Sequence, residues 1–280
     1  MSPEYIEAYY FVQYPGYVEC GLKCPYCFHK EAWDLEKEGK KNTKYKDQIP
    51  FTFEDYRRWR DKFLDDGTKF LMEIHSGEIS YGKNKEHCLS IIDQADKETF
   101  QLQTNGMGSK SFYEELIKRK NKIDRIGFTF HRKVIMENKN KDKLAERFIQ
   151  NVFLIAKSGI KVIVKELLIL SLKSKILESK AFWENIGIEF RIQDFRDNGG
   201  FDPQPYMPEE LSLIHPEYLH GRENCSCRVG YKNVIIRGCD IFGGNVLACW
   251  HDPCIIGHIG SGYKPPEDYI LPEVSDADKC

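Results

Sequence analysis

Residues 18–28 read VECGLKCPYCF and place three cysteines four and three residues apart on one short loop: Cys20, Cys24 and Cys27. The loop follows residues 5–14, an apolar and aromatic run that is predicted to form a strand. Three thiolates at this spacing can converge on one metal centre. A structural zinc takes four protein ligands, and ordinary iron–sulfur clusters take four cysteines. A four-iron cluster held by these three cysteines would therefore leave one iron open to another ligand.

Outward from this loop, predicted strands and helices alternate along the chain. Apolar runs bounded by turn residues predict six strands, at residues 5–14, 70–75, 99–104, 123–131, 161–170 and 188–193. Helical spacing of apolar residues predicts helices between them, after the cap Thr52 and at residues 85–95, 110–120, 144–155 and 173–185. Six β-α units in succession imply parallel strands with right-handed crossovers. The predicted fold class is α/β, and its natural architecture is a partial (β/α)6 barrel of parallel strands.

The cysteine spacing, with an aromatic residue (Tyr26) just before the last cysteine, resembles that of the radical S-adenosylmethionine (radical SAM) enzymes, whose fold is also a partial (β/α)6 barrel. The resemblance implies a [4Fe-4S] cluster on Cys20, Cys24 and Cys27 whose open iron binds S-adenosylmethionine (AdoMet). Reductive cleavage of AdoMet would give methionine and a 5′-deoxyadenosyl radical that abstracts hydrogen from a substrate C–H bond. The alternatives are a zinc knuckle completed by a distant ligand and a chance arrangement in a cysteine-rich chain.

Chemistry in barrels of parallel strands gathers at the C-terminal ends of the strands. Residues 76–78 (SGE) look like the family's Gly-Gly-Glu motif with its first glycine replaced by serine, which implies contact with the AdoMet amino group. Residues 104–106 (TNG) are similar to a motif that follows the third strand in relatives. Both motifs could instead be ordinary turns. The predicted cofactor-binding residues are Tyr26, Ser76, Gly77, Glu78, Thr104, Asn105, Glu166 and Gln193.

Three further residues at strand ends are candidate catalytic residues: His131, Lys165 and Arg191. His131 could act on the substrate, contact AdoMet, or be a hydrogen-bonded residue of the rim. Lys165 and Glu166 are adjacent and point to opposite faces of their strand, so at most one of them faces the barrel lumen. Arg191 and Gln193 share one face of the sixth strand and are candidates for the substrate pocket.

Five cysteines follow the barrel: Cys225, Cys227, Cys239, Cys249 and Cys254. Residues 227–249 contain two strand-like runs around a glycine-rich turn and predict a β-hairpin. The Gly-x4-Cys element that ends at Cys249 resembles the twitch form of the SPASM extension, which implies an auxiliary [4Fe-4S] cluster on four of these cysteines. A zinc ribbon is the alternative. The expected domains are a barrel over residues 1–196 and a cysteine-rich hairpin extension over residues 197–280. Cys88, on a predicted helix, is expected to be a buried apolar residue.

Composition narrows the class of protein. The chain has 280 residues, with 41 basic and 43 acidic residues and a net charge of −2, so it carries no global basic footprint for nucleic acid. It has no run of 18 apolar residues and no signal-like N-terminus, so we expect a cytoplasmic protein without a membrane partner. In that compartment the grouped cysteines among its ten are expected to be metal ligands rather than disulfides.

The resemblance implies AdoMet and an electron donor such as flavodoxin or ferredoxin as partners. The reaction would be a net oxidation or a bond-forming modification of a peptide, a protein or a small molecule. Strand one begins near Met1, which weighs against a peptide substrate unless a separate chain recognises it. The alternatives are an RNA-modifying radical SAM enzyme and a non-enzymatic zinc or iron–sulfur binding module.

Overall fold

The described part of the chain lies mainly between the first and sixth predicted strands. A computed structural model describes residues 5–11, 20–27, 34, 38, 53–63, 69–75, 77–193, 195, 208–214, 233–237, 245–247, 255–258 and 262–263.

Six parallel strands pair in the order in which they occur in the chain. They are β1 (Tyr5–Phe11), β2 (Lys69–His75), β3 (Glu98–Thr104), β4 (Ile123–Thr129), β5 (Lys161–Leu167) and β6 (Glu189–Gln193). The described helices are α1 (Phe53–Phe63), α2 (Gly82–Gln94), α3 (Lys110–Ile117), α4 (Arg132–Met136), α5 (Lys141–Lys157), α6 (Lys173–Asn185) and α7 (Pro208–Ile214). The predicted α/β fold with a partial barrel of parallel strands is confirmed. Helices α4 and α7 were not predicted.

Alternation along the strands gives the sheet two different faces. One face packs against the helices and forms the main hydrophobic core, which includes Ile74, Leu102, Phe128, Val164 and Ile192. The predicted burial of Cys88 is confirmed, since it lies in this core without exposure to solvent. We call the opposite face of the sheet the inner face. The odd-numbered residues of β3 to β6 lie on it, including Gln103, Lys165 and Arg191.

Two strands end earlier than the sequence predicts. Strand β4 ends at Thr129 rather than at residue 131, and β5 ends at Leu167 rather than at residue 170. After β5, the amide of Leu168 donates to the carbonyl of Gln193 at 2.8 Å, and the chain then forms the 3-10 turn Leu170–Leu172 that leads into α6. The apolar run continues past the strand because Leu168 is buried in the main hydrophobic core and Ile169 is buried against the cysteine loop.

The predicted C-terminal hairpin is also confirmed, as β7 (Asn233–Arg237) pairs antiparallel with β8 (Asn245–Leu247). Its position was not predicted: β7 lies parallel beside β1 and continues the barrel sheet. Strands β9 (Ile255–His258) and β10 (Gly262–Tyr263) extend this edge, so the described strands form one sheet in the order β10-β9-β8-β7-β1-β2-β3-β4-β5-β6. Among the described residues, no helix combines the length and the apolarity that crossing a membrane requires.

Candidate metal and cofactor site

The cysteine loop lies at the C-terminal ends of the strands. The amide of Cys27 donates to the carbonyl of Cys24 at 3.1 Å, which closes a turn, and Lys23 adopts a left-handed conformation with φ of 47°. Cys24 is buried, whereas Cys20 and Cys27 are partly exposed. A small apolar cluster fixes the loop against the ends of β5 and β6: Cys24, Tyr26, Ile169 and Phe195. The fold therefore places the thiols where a barrel of parallel strands carries its chemistry.

The electrostatics of Cys20 and Cys24 suit a cationic centre. Burial, together with the nearby negative charges of Cys20 and Cys27, raises the pKa of Cys24 to about 12. Burial also raises the pKa of Cys20, and the charge of Glu78 acts in the same direction. A bound metal reverses this balance because it deprotonates a coordinating thiol outright. Within the described residues, no three His, Cys, Asp or Glu side chains lie close enough together to hold a single metal ion, and this includes the three thiols of the loop. The donor set of three thiols on one loop fits a cluster with one open iron.

Glu78 links the end of β2 to the end of β3. Its buried carboxylate accepts from the amide of Ser80 at 3.0 Å, the Ser80 hydroxyl at 2.6 Å, the Thr104 hydroxyl at 2.5 Å and the amide of Asn105 at 2.6 Å. Burial raises the pKa of Glu78, although these donors act in the opposite direction. Thr104 also contacts the hydroxyl of Tyr113 at 3.0 Å. Thr104 and Asn105, two of the predicted cofactor-binding residues, are therefore hydrogen-bonded to a third, Glu78.

Asn105 connects this hydrogen-bond network to the cysteine loop. Its side-chain amide donates to Sγ of Cys20 at 3.7 Å, and its Oδ1 accepts from the amide of Met107 at 2.9 Å. Gly77 precedes the carboxylate and adopts φ of 62°, a conformation that glycine takes without strain. The predicted residue Ser76 lies outside the described residues. The AdoMet-binding role of the motif at residues 76–78 stays a prediction.

Tyr26 of the cysteine loop contacts His131, which follows β4. The Tyr26 hydroxyl lies 3.2 Å from Nδ1 of His131, and the two rings stack with centroids 6.0 Å apart. Burial lowers the pKa of His131 to about 4. Burial also raises the pKa of Tyr26, and the charge of Cys24 acts in the same direction. A neutral His131 and a protonated Tyr26 are thus the stable forms of this pair, and both residues lie beside the candidate cluster site.

Lys165 lies on the inner face, further along the sheet. Its Nζ donates to Oε1 of Gln103 at 2.9 Å, and the contact spans β4 at Gly127. A Cβ at Gly127 would lie 2.2 Å from that oxygen, so glycine leaves the room that the pair needs. Burial lowers the pKa of Lys165. Arg191, in register with Lys165 on β6, is exposed and bonds Glu189 at 2.6 Å.

Glu166 lies on the helix side of the sheet. Its buried carboxylate accepts two hydrogen bonds from Arg132, each of 2.8 Å, and Arg132 also donates to the hydroxyl of Ser179 on α6. Burial raises the pKa of Glu166, and Arg132 acts in the opposite direction. Glu166 and Lys165 thus lie on opposite faces of β5, and the predicted cofactor-binding role of Glu166 stays a prediction. Gln193 is partly buried, and its carbonyl accepts from Leu168.

Several residues of these networks were missed by the sequence analysis. They are Ser80, Gln103, Tyr113 and Arg132. Period-two alternation could have indicated Gln103 on the inner face, and Ser80 lies only two residues after Glu78. The contact of Arg132 with Glu166 joins residues 34 positions apart, and no local pattern indicates it. The five predicted C-terminal ligands lie outside the described residues: Cys225, Cys227, Cys239, Cys249 and Cys254.

Two proteins solved with bound S-adenosylmethionine have a fold similar to that of this chain. The structure of anSMEcpe with bound AdoMet and a peptide matches with a TM-score of 0.55 and 13% identity, over 91% of this chain and 77% of that chain. The structure of SuiB from Streptococcus suis bound to S-adenosylmethionine matches with a TM-score of 0.52 and 16% identity, over 89% of this chain. This chain spans 59% of the length of SuiB. No family model matches the sequence, and no curated protein matches it. The likeness shows that the chain has the fold of these AdoMet-binding enzymes.

Proposed function

We propose that the protein is a radical SAM enzyme that cleaves AdoMet reductively and modifies a substrate at a C–H bond. One observation carries the proposal: the loop of Cys20, Cys24 and Cys27 lies at the C-terminal end of the barrel, in the fold of enzymes solved with AdoMet. When bound, a [4Fe-4S] cluster supplies the electron that splits AdoMet into methionine and a 5′-deoxyadenosyl radical.

The residues of this chain would hold and orient the two cofactors. Cys20, Cys24 and Cys27 would hold the cluster, and with only three protein ligands the cluster would remain able to bind AdoMet. Glu78, Thr104 and Asn105 form the adjoining wall, and their hydrogen bonds make it rigid. A fixed carboxylate suits an ammonium group, because charge-assisted hydrogen bonds are the stronger ones. A flavodoxin or ferredoxin would deliver the electron.

The substrate that we propose is a peptide or a protein side chain. Two neighbours support this class, since anSMEcpe was solved with a bound peptide and SuiB with its precursor peptide SuiA. Lys165 and Arg191 on the inner face offer hydrogen-bond donors to backbone carbonyls. The reaction is a net oxidation or the formation of a new bond, and the proposed auxiliary cluster of the extension would accept the electron that the substrate radical loses. We also propose that the barrel domain ends at residue 196 and that the cysteine-rich extension begins at residue 197.

Product analysis with matched cysteine variants tests the enzyme class. Under anaerobic conditions with dithionite and AdoMet, the reconstituted protein should form 5′-deoxyadenosine and methionine without added substrate. Cys24→Ala removes one anchor of the cluster and should abolish both products. Cys88→Ala makes the same change in the hydrophobic core and should retain them. Absence of 5′-deoxyadenosine from a parent protein with a reducible four-iron cluster would refute the proposal.

A further inference from the structure

A single amide side chain reaches the cysteine loop from the end of β3. We propose that Asn105 sets the reduction potential of the cluster by donating an N–H···S hydrogen bond to Cys20. The contact is 3.7 Å long and joins two segments 85 residues apart in sequence. The inference rests on the proposed function, because it assumes that Cys20 is a cluster ligand, and it adds a tuning residue to that function.

The orientation of the Asn105 amide follows from its other partner. Its Oδ1 accepts from the backbone amide of Met107 at 2.9 Å, a bond that only the oxygen of the side-chain amide can make. The nitrogen must therefore lie on the other side, towards Cys20. The amide thus presents a donor to the sulfur, and a rotation that exchanged the two atoms would set two donors against each other at Met107.

Glu78 fixes the backbone from which this amide projects. Oε2 of Glu78 accepts from the amide of Asn105 at 2.6 Å, while Oε1 is held by Ser80 and Thr104. A second buried asparagine supports the same loop from α5, since Asn151 donates to the carbonyls of Gly106 at 2.9 Å and Gly108 at 3.1 Å. The loop is therefore held from two sides, and the donor at Asn105 is positioned before any cluster binds.

A fixed donor beside a cluster ligand favours the reduced state. Reduction adds one negative charge, which is shared with the ligand sulfurs, and an N–H group aimed at a sulfur stabilises that charge. Hydrogen bonds to the sulfurs are among the factors that set cluster potentials. The contact is part-buried, and shielding from solvent strengthens the effect. Asn105 should accordingly raise the potential and make the cluster easier to reduce.

Asn105→Ser separates the two functions of the side chain. A serine hydroxyl can still accept from the amide of Met107 in the same kind of turn, but it is too short to reach Cys20. In an anaerobic redox titration followed by electron paramagnetic resonance, the midpoint should become more negative. The ratio of reduced to oxidised cluster at a fixed potential should fall by up to about tenfold, which corresponds to about 59 mV for a one-electron couple. An unchanged midpoint would overturn the inference.

Asn151→Ser is the matched control, because it weakens the same loop without touching a thiol. It should lower thermal stability and leave the midpoint unchanged. An equal shift in both variants would overturn the inference and assign the effect to the loop as a whole. The parent protein separates the two proposals: 5′-deoxyadenosine formation with an unchanged midpoint in Asn105→Ser refutes this inference alone. A parent that binds no iron refutes the proposed function as well.

Discussion

The hydroxyl of Tyr26 lies 3.2 Å from Nδ1 of His131 and also hydrogen-bonds the thiol of Cys24. One hydroxyl carries one proton, so when Cys24 is a thiolate the proton of Tyr26 points to the sulfur. The oxygen of Tyr26 then accepts from Nδ1–H of His131, which fixes the tautomer of the ring. The end of β4 is thereby connected to a predicted cluster ligand through one aromatic side chain.

His131 should make stability depend on pH. An unfolded histidine titrates near 6.5, and burial lowers the pKa of folded His131 to about 4. Between these values the unfolded chain binds more protons than the folded chain, so protons favour unfolding. The contribution of His131 to the unfolding free energy is therefore fully present above about pH 6.5 and is lost as the pH falls towards 4.

Denaturant titrations of the metal-free chain across this pH range check the effect, with His131→Asn as the comparison. Asparagine can keep a polar atom near the position of Nδ1 but does not titrate. The difference in unfolding free energy between parent and variant should change with pH only between about 4 and 6.5. A difference independent of pH would show that His131 titrates normally in the fold.

The Arg132–Glu166 pair should be important for stability. Glu166 is 1% exposed, so Arg132→Met leaves a buried carboxylate without its cation. Breaking a buried ion pair in this way costs about 3–5 kcal/mol of unfolding free energy. Lys175→Met, which breaks the exposed pair with Glu178, should cost less than about 1 kcal/mol. Chemical denaturation of both variants measures the two costs, and equal costs would contradict the structural distinction.

Much of the barrel could be predicted from the sequence, because the patterns that indicate its strands and helices involve only neighbouring residues. The bounds of α6 agree with prediction, since helical spacing and flanking turns are properties of neighbouring residues. The pairing of β7 with β1 could not be predicted, because no pattern in residues 233–237 identifies a partner more than 200 residues away. Local patterns likewise do not show which of several sheet edges a hairpin will join.

Two adjacent charged residues of β5, Lys165 and Glu166, show the same limit within one strand. Alternation requires that Lys165 and Glu166 face opposite sides, but Val162, Ile163 and Val164 are all apolar and do not indicate which side is the core. The structure assigns Val162, Val164 and Glu166 to the helix side. A carboxylate is tolerated at position 166 because it pairs with Arg132, which lies on α4 rather than on the strand.

Glu78→Gln tests whether this carboxylate binds AdoMet or only supports the fold. Glutamine offers one acceptor oxygen where the carboxylate receives four hydrogen bonds, so at least one donor loses its partner. The unfolding free energy should fall by about 1–3 kcal/mol, and AdoMet binding should weaken by about 1.5–3 kcal/mol. Direct binding titrations of the reconstituted protein measure the second effect. Glu178→Gln on the exposed face of α6 should change neither quantity.

If AdoMet affinity in Glu78→Gln equals that of the parent while stability falls, the carboxylate acts only as the acceptor that joins β2 to β3. The ammonium of AdoMet would then depend on backbone groups of this wall. That result would leave the cluster and the cleavage reaction untouched and would remove Glu78 from the cofactor-binding set.

The two groups of cysteines should hold separate clusters. Because two clusters of the same type contain equal amounts of iron, a variant that lacks Cys20, Cys24 and Cys27 should retain about half the iron of the parent after anaerobic reconstitution. Iron and zinc analysis measures this directly. A variant that contains zinc and no iron would contradict an auxiliary cluster and support a zinc ribbon.

The proposed division of labour predicts different products from the two groups. Cleavage of AdoMet needs only the N-terminal cluster, whereas completion of the substrate reaction needs an acceptor for the electron of the substrate radical. Cys249→Ala and Cys254→Ala should therefore still form 5′-deoxyadenosine but lose modification of the substrate, while Cys24→Ala should lose both. Because β7 pairs with β1, the extension shares a sheet with the barrel, and the two sites could also be structurally coupled. Equal loss of 5′-deoxyadenosine in all three variants would demonstrate that coupling and refute the separate roles.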